Sequence, residues 1–117
     1  MADRSTHRDL HAWQEAMRLA EMLYRDSQAF PREEMFGLTA QMRRAAVSIP
    51  SNIAEGAARN SPGELCQFLG IACGSLAELE TQVELSVRLG YLSSQCDTVV
   101  QLNRVGQLLV ALRRSVK

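Results

Sequence analysis

Histidine is nearly absent from this 117-residue chain, which has only His7 and His11, both close to its first residue. Catalytic triads and the Glu-x-x-His pairs of di-metal helical bundles need histidines within the fold. The glutamates Glu78, Glu80 and Glu84 therefore lack the partner that a di-metal site requires. A glycine-rich phosphate loop is absent as well. We expect a protein that is not an enzyme and that holds no metal or cofactor.

Aromatic residues, prolines and glycines are also scarce. Aromatics make up 5% of the chain, beside three prolines and seven glycines. The hydrophobic content of 46% is carried mainly by Ala, Leu and Val, and such a composition favours long helices. The length predicts one domain with a single core.

The cysteines Cys66, Cys73 and Cys96 are odd in number and include no short-spaced pair of the kind that binds zinc. The first eight residues are polar and lack an apolar signal core. No run reaches the roughly 18 apolar residues of a membrane span. We expect a cytoplasmic protein with reduced thiols and no membrane contact.

Positive and negative charges balance to a net charge of zero, so no overall basic field attracts nucleic acid. Their distribution is uneven: residues 60–84 contain four glutamates and no basic residue, whereas residues 85–117 contain five basic residues against Asp97. The two segments can pair within one subunit or between subunits. They can equally be separate solvated faces, because surface ion pairs contribute little.

Four amphipathic helices are predicted after a flexible N-terminal arm at residues 1–8, and residues 9–117 form the single domain. Asp9 is the expected N-cap of the first helix, which ends at Phe30-Pro31 because the residue before a proline is disfavoured in the α region. The core stripe of this helix is expected at Leu10, Trp13, Met17, Ala20 and Tyr24.

The second helix is expected at about residues 39–58 and is apolar over much of its circumference, which implies burial on more than one side. Pro50 lies in its middle, removes one backbone hydrogen bond and predicts a kink. Phe36 and Leu38 are expected to plug one end of the core. The apolar stripe comprises Leu38, Met42, Ala45, Ile49 and Ile53, widened by Ala46, Val47, Ala54 and Ala57.

The third helix has the clearest start, with Ser61 as N-cap, Pro62 at the first position and Glu64 completing a capping box. It ends at Leu89-Gly90, where glycine can take the left-handed conformation. Its small residues predict the close approach of another helix. The large stripe is Leu65, Leu69, Ala72, Leu76, Leu79 and Val83, and the small one is Cys66, Gly70, Cys73, Gly74 and Ala77.

The fourth helix is expected to follow a cap at Ser93 or Ser94, with basic residues at its C-terminus, where cations meet the negative end of the helix dipole. Four helices joined by short connections predict an all-α, antiparallel up-down-up-down four-helix bundle with a proline-kinked second helix. The core face of the fourth helix is Val99, Leu102, Val105, Leu109 and Leu112.

A polar face on the second helix has three open interpretations. Ser48, Asn52, Glu55 and Arg59 follow one another at steps of four, three and four, and with Arg44 they form a candidate polar network or subunit seam. Such a set can fix helix register through hydrogen bonds, join two subunits, or contact phosphates. The candidate nucleic-acid contacts are Arg43, Arg44, Arg104, Arg113 and Arg114.

Several segments resemble a bacterial four-helix-bundle family, the 23S rRNA intervening-sequence proteins, whose founding members are encoded in intervening sequences of large-subunit rRNA genes. The similarity spans nearly the whole chain, and its central stretch is the most specific part. The similar segments are Asp9-Leu10 with Trp13-Gln14, Phe36-Gly37-Leu38, Gln41–Ala46, Ser48–Gly56, Phe68-Leu69, Gly74-Ser75-Leu76, Glu78–Gln82 and Leu89–Leu92.

The resemblance implies a four-helix bundle that assembles as a homopentameric ring. It also implies relatedness to the accessory protein of diversity-generating retroelements, which contacts a reverse transcriptase and nucleic acid. It implies no settled activity. This chain departs from those basic relatives in being net neutral.

We therefore expect a non-enzymatic pentameric scaffold or adaptor whose main partner is itself, with no small-molecule substrate. The alternative is an RNA- or DNA-binding accessory protein that acts through a basic surface assembled across subunits, since a ring multiplies a weak patch.

Overall fold

The structure, a computed structural model, describes residues 6–116, so residues 1–5 of the expected arm and Lys117 lie outside it. Within that range the chain forms four α-helices, two short 3-10 helices and no strand. The prediction of an all-α fold with four helices in a bundle is confirmed. The helices are α1 (His11–Ser27), α2 (Leu38–Ala57), α3 (Pro62–Arg88) and α4 (Asp97–Val116), with 3-10 helices at His7–Asp9 and Arg32–Glu34.

The four helices occupy the corners of an elongated bundle of 48 × 27 × 24 Å. α1 and α3 each pack against both α2 and α4, whereas among the described residues no Cα atom of α2 lies within 8 Å of one of α4. One apolar core runs between the four helices. In residues 6–116 no helix is both long and apolar enough to cross a membrane.

The core faces predicted for α2, α3 and α4 are largely confirmed. The main stripe of α2 is buried along its whole length, from Leu38 to Ile53. On α3 the stripe is buried from Leu69 to Val83, and on α4 the central residue Val105 is fully buried. Helical periodicity predicts these faces because each continues as a regular apolar stripe along the length of its helix.

The core face predicted for α1 is wrong for two of its five residues. Met17 and Tyr24 are 40% and 44% exposed, whereas Trp13 is half-buried and packs against the core. The core is filled instead by a neighbouring stripe that includes Leu19 and Leu23. α1 carries two apolar stripes, and packing selects the one with the smaller residues, which lets the helices approach closely. That buried stripe is Ala12, Ala16, Leu19, Ala20 and Leu23.

The start of α1 also differs from the prediction. Asp9 does not cap it; Asp9 forms a capping box with Thr6 around the 3-10 helix, and α1 begins two residues later with Leu10 in the cap position. The helix ends at Ser27, and a turn of backbone hydrogen bonds carries the chain to Phe30. The Phe30-Pro31 pair therefore follows the helix end rather than forming it.

The boundaries of α3 follow the sequence closely. The Ser61 hydroxyl accepts a hydrogen bond from the Glu64 backbone N–H at 3.1 Å, and Gly90 has φ of +84°. The reciprocal half of the capping box is replaced by a contact of 3.4 Å in which the Ser61 hydroxyl donates to the Glu64 carboxylate. α4 begins later than expected, because the Ser93 hydroxyl accepts from Gln95 in a preceding turn.

The end of the core near the α1–α2 connection is closed differently from the prediction. Leu38 is buried as expected, but Phe36 is 92% exposed. Phe30 takes its place and packs against Tyr91, with ring centroids 5.2 Å apart. The turn at Met35–Gly37 aims Phe36 away from the core, which the sequence pattern alone does not reveal.

The close helix approach predicted at the small stripe of α3 occurs elsewhere. Gly74 is exposed, and a Cβ atom placed there would meet nothing within 4 Å in the described residues. The tight contact is at Gly56 of α2, where a Cβ atom would lie 2.8 Å from the Cβ of Phe68. Within one subunit, it is the α2–α3 crossing at Gly56 that requires glycine.

Candidate functional site

An apolar groove of about 630 Å³ lies between α1 and α2, and we call it the α1–α2 groove. Volumes of about 300–1,000 Å³ with mainly apolar walls are typical of binding sites. Pro50 is on its wall, so the unusual central stretch of α2 contributes directly to it. The lining residues are Trp13, Met17, Ala20, Glu21, Tyr24, Arg25, Gln28, Val47, Pro50, Ser51 and Ala54.

The groove exists because both helices carry apolar residues beyond those that the core accommodates. On α1 these are Trp13, Met17 and Tyr24, the stripe that the sequence placed in the core. On α2 Val47 is 43% exposed, although it lies in a helix that is apolar on most sides. The prediction that α2 is buried on more than one side therefore does not hold at Val47 within one subunit.

Arg43 contacts one end of the groove. Its guanidinium donates hydrogen bonds to the Ser27 hydroxyl at 2.8 Å and to the Tyr24 carbonyl at 3.2 Å. The same guanidinium lies over the Tyr24 ring, 4.7 Å from its centroid. The cation–π contact favours the position of the Tyr24 ring at the groove wall. Arg43, a candidate nucleic-acid contact, is thus engaged within the chain.

The rim of the groove carries one acidic and one basic side chain. Glu21 and Arg25 are both exposed and lie four residues apart on α1. Neither takes part in an ion pair among the described residues. An apolar floor with a charged rim is the usual organisation of a protein–protein contact surface.

The polar residues predicted on α2 divide into two separate groups. The Ser48 and Ser75 hydroxyls are 2.8 Å apart and join α2 to α3. Asn52 donates to the Ser48 carbonyl at 2.8 Å and to its hydroxyl at 3.0 Å. This group therefore forms hydrogen bonds inside the subunit, on the α3 side of the helix.

The second group lies toward the end of α2. Arg59 pairs with Glu55 at 3.3 Å, and its guanidinium sits 5.0 Å from the centroid of the Phe68 ring. Arg44 is exposed and takes part in no hydrogen bond or ion pair among the described residues. The five residues of the predicted network therefore do not form one connected set.

The predicted nucleic-acid contacts are not brought together within one chain. Arg43 and Arg44 are on α2, whereas Arg104, Arg113 and Arg114 are on α4, a helix that is not a direct neighbour of α2 in the bundle. Arg104 pairs with Glu15 of α1 at 3.3 Å. The exposed pair Arg113 and Arg114 lies in the last turn of α4.

The acidic and basic segments of the sequence meet only locally. Arg88 pairs with Glu84 at 2.8 Å within α3, and both side chains are largely exposed. Among the described residues no ion pair joins α3 to α4.

A buried polar cluster connects α1 with α4. Gln101 donates from its amide to the Glu15 carboxylate and to the Glu15 backbone carbonyl, both at 2.9 Å. The hydrogen bond from Gln101, assisted by the positive charges of Arg18 and Arg104, lowers the pKa of Glu15 below its ordinary value of 4.5, although burial acts in the opposite direction. The cluster is surrounded by packed helices and does not open into the α1–α2 groove.

Metal-binding geometry is not found in residues 6–116, where no three His, Cys, Asp or Glu side chains are grouped to share an ion. His7 packs edge-on against Trp13, with ring centroids 5.0 Å apart. The three cysteines are free thiols.

Sequence reasoning missed the α1–α2 groove, although the signal was present. α1 contains a second stripe at Ala12, Ala16, Leu19 and Leu23, which competes with the stripe through Trp13 and Met17. Two apolar stripes on one helix predict two packing faces, of which only one can lie in the core of its own bundle.

Comparison with known proteins gives one result for this four-helix chain. No curated protein matches it. The sequence profile of the 23S rRNA-intervening sequence protein family matches residues 8–111, which includes all four helices up to the last turn of α4. The chain therefore belongs to the 23S rRNA-intervening sequence protein family.

Proposed function

We propose that this protein is a non-enzymatic scaffold that assembles from copies of itself, as a ring of five subunits. The observation that carries the proposal is the exposure of Met17 and Tyr24, which with Trp13 and residues of α2 line an apolar groove. The ring of five follows the expectation set by the family resemblance. The groove is the candidate subunit interface.

Self-association is favoured by the charge balance of the chain. A large net charge keeps proteins apart by repulsion, whereas this chain has a formal net charge of zero. Copies therefore approach one another without long-range repulsion. Exposed large apolar side chains such as Met17 and Val47 gain roughly 25 cal/mol for each Å² removed from water.

The proposal includes an up-down-up-down arrangement of the helices with a kink at Pro50. Its support is the pairing of residues along α2 and α3: Gly56 lies against Phe68, while Met42 accepts a hydrogen bond from Ser86. Contacts that pair early residues of one helix with late residues of the other are typical of antiparallel neighbours. Pro50 supports a kink because it cannot donate to the Ala46 carbonyl.

The proposal also places the protein in the cytoplasm. Cys66, Cys73 and Cys96 are all free thiols, and reducing compartments keep thiols in that state.

Light scattering on purified wild type and on Met17→Glu tests the assignment of the groove. We expect the wild type to elute as an oligomer and the Met17→Glu variant to elute at lower mass, because a buried unpaired charge weakens an interface. Val100→Glu, at a residue of α4 that is 65% exposed, is the matched control and should keep the wild-type mass. A Met17→Glu oligomer of unchanged mass would contradict the assignment.

A second candidate function is binding of RNA or DNA. The observation that favours it is the exposed Arg113–Arg114 pair, which has no carboxylate partner among the described residues. Copies of this pair in a ring multiply a weak phosphate contact. Binding of a structured RNA at two salt concentrations, with wild type and with Arg113→Glu plus Arg114→Glu, decides it. Salt-sensitive binding that the double variant loses supports the function, and identical binding by both proteins opposes it.

A further inference from the structure

The most exposed large apolar side chain among the described residues is Phe36, at 92% exposure, and its neighbour Met35 is 50% exposed. Together they form an apolar projection at the end of the bundle, which we call the Phe36 knob. A single exposed apolar residue is common on protein surfaces, but an aromatic side chain standing almost wholly in water is unusual. Aromatic anchors of this kind dominate the energetics of protein interfaces.

The Phe36 knob is held in place by its base. The Glu34 carboxylate accepts hydrogen bonds from the Tyr91 hydroxyl at 3.0 Å and from the Leu38 backbone N–H at 3.4 Å. The Gly37 backbone N–H donates to the Glu34 carbonyl at 3.0 Å. The backbone of the turn is thereby tied to two elements of the bundle, and Phe36 projects from this base. An ordered backbone loses less conformational entropy when its side chain binds.

The α1–α2 groove lies on another part of the same chain and is large enough to receive the Phe36 knob. Its walls include Trp13, Met17 and Val47, and its volume of about 630 Å³ exceeds what one aromatic side chain needs. Arg43 contacts the Tyr24 end of the groove, as Glu34 contacts the base of the Phe36 knob.

We propose that the Phe36 knob of one copy inserts into the α1–α2 groove of a second copy. This assignment rests on the proposed self-assembly and specifies which two surfaces form the seam. The occupant of the groove is therefore another molecule of this same chain.

Charges beside the two surfaces fit this pairing. Arg32 and Glu33 are exposed next to the Phe36 knob, and Glu21 and Arg25 are exposed on the rim of the groove. Each surface thus carries one positive and one negative side chain. When the surfaces meet, Arg32 can face Glu21 while Glu33 faces Arg25. Opposite charges around an apolar centre set the orientation of an interface more than its strength.

The pairing also favours a closed ring. The Phe36 knob and the groove are different surfaces, so the contact is head-to-tail, and a dimer with one such contact leaves one knob and one groove uncovered. The knob and the groove of every copy are both covered only when the series of contacts closes into a ring. A reciprocal dimer, in which each Phe36 knob fills the groove of the other copy, is the smallest closed arrangement, and larger rings close in the same way.

The first test is the mass of Phe36→Glu by light scattering beside the wild type. We expect the variant to dissociate, with the apparent dissociation constant raised at least about tenfold, and its melting curve as a diluted monomer to match that of the diluted wild type, because the side chain is 92% exposed. Val100→Glu on α4 is the control and should assemble normally. A Phe36→Glu protein with the mass of the wild-type oligomer overturns the proposal.

The second test is cross-linking in a chain whose three cysteines are replaced by alanine. One protein carries Met35→Cys, which keeps Phe36 in place, the other carries Val47→Cys, and a short bismaleimide is added to each alone and to the mixture. We expect cross-linked dimers in the mixture and only traces in either protein alone. Equal cross-linking of Met35→Cys with itself, or none in the mixture, overturns the proposal.

The two proposals fail in different ways. If the wild type is a monomer, both proposals are refuted: self-assembly and the contact between the Phe36 knob and the groove. If the wild type is an oligomer and Phe36→Glu has the same mass, only the proposed knob–groove contact is refuted. The role of the groove in assembly is then judged from Met17→Glu alone.

Discussion

Gly56 of α2 packs tightly against Phe68 of α3: a Cβ atom at position 56 would lie 2.8 Å from the Cβ of Phe68 and 3.1 Å from a methyl carbon of Leu65. Real Cβ atoms essentially never pack at the first of these distances. Gly56 lies six residues after Pro50 and ends the segment Ser48–Gly56 that resembles the family. This segment therefore includes a residue required by helix packing as well as residues that line the groove.

Substitution of Gly56 by alanine is expected to destabilise the fold. The added methyl forces α2 and α3 apart at a cost of about 1–3 kcal/mol, which outweighs the gain of up to about 1 kcal/mol that alanine brings to a helix interior. Chemical denaturation at fixed protein concentration measures the difference. Gly74→Ala is the matched control, because its Cβ would meet nothing within 4 Å. Gly74→Ala should be neutral or stabilising by up to about 1 kcal/mol; equal effects at the two glycines would contradict the packing described here.

The hydrogen bond between Ser48 and Ser75 is expected to couple α2 to α3. The two hydroxyls are 2.8 Å apart in a half-buried position. A double-mutant cycle with Ser48→Ala and Ser75→Ala should give a coupling energy of about 0.5–1.5 kcal/mol in the free energy of unfolding. Additive single effects would show that the contact contributes nothing to stability. Asn52→Ala is also expected to lower the free energy of unfolding, because Asn52 donates hydrogen bonds to the carbonyl and the hydroxyl of Ser48.

The stability of the fold is expected to depend on Glu15 in mildly acidic solution. Its pKa in the folded state is lowered from 4.5, chiefly by the hydrogen bond from Gln101, so the ionised carboxylate favours folding. This contribution is fully present above pH 4.5 and is lost as the pH falls through the folded-state pKa. The difference in unfolding free energy between wild type and Glu15→Gln, about 1 kcal/mol at pH 7, should therefore shrink in that window.

A control for this titration is Glu84→Gln. Glu84 forms an exposed pair with Arg88, and such pairs contribute only about 0–1 kcal/mol. A wild-type minus Glu15→Gln difference that stays constant from neutral pH to well below pH 4.5 would contradict the role assigned to the Glu15–Gln101 contact.

Replacement of Pro50 by alanine is expected to raise the stability of a single subunit. Alanine restores the hydrogen bond to the Ala46 carbonyl and removes a cost of about 3 kcal/mol. The loss of two buried ring methylenes offsets about 1.6 kcal/mol of this, which leaves a net gain of about 1 kcal/mol. Ser51→Ala, at an exposed neighbour, is the control and should change little. A clear loss of stability in Pro50→Ala would show that the chain is fitted to proline at this position.

Most of the fold could be predicted from the sequence, but the buried face of α1 could not. Local signals such as Pro62 after Ser61, and Gly90 after Leu89, act within a few residues and place helix ends reliably. The choice between the two apolar stripes of α1 depends on how the other three helices fit against it. That is a tertiary property, which periodicity in one segment does not contain.

The candidate site was harder to predict for the same reason. Trp13, Met17 and Val47 look like core residues by type and spacing. In the structure, however, Met17 is 40% exposed and Val47 is 43% exposed. Phe36 was likewise assigned to the core from its hydrophobicity. The direction in which a short turn points its side chain is set by bonds such as Tyr91 to Glu34, which join residues far apart in the sequence.

The central claim is that the outward-facing apolar surfaces of this chain are covered by copies of itself. Sedimentation equilibrium of the wild-type protein at micromolar concentrations tests it most directly, because the method gives the mass without an assumption about shape. We predict a species of five copies of the 13.0 kDa chain. A single species of 13.0 kDa across that concentration range would contradict the claim.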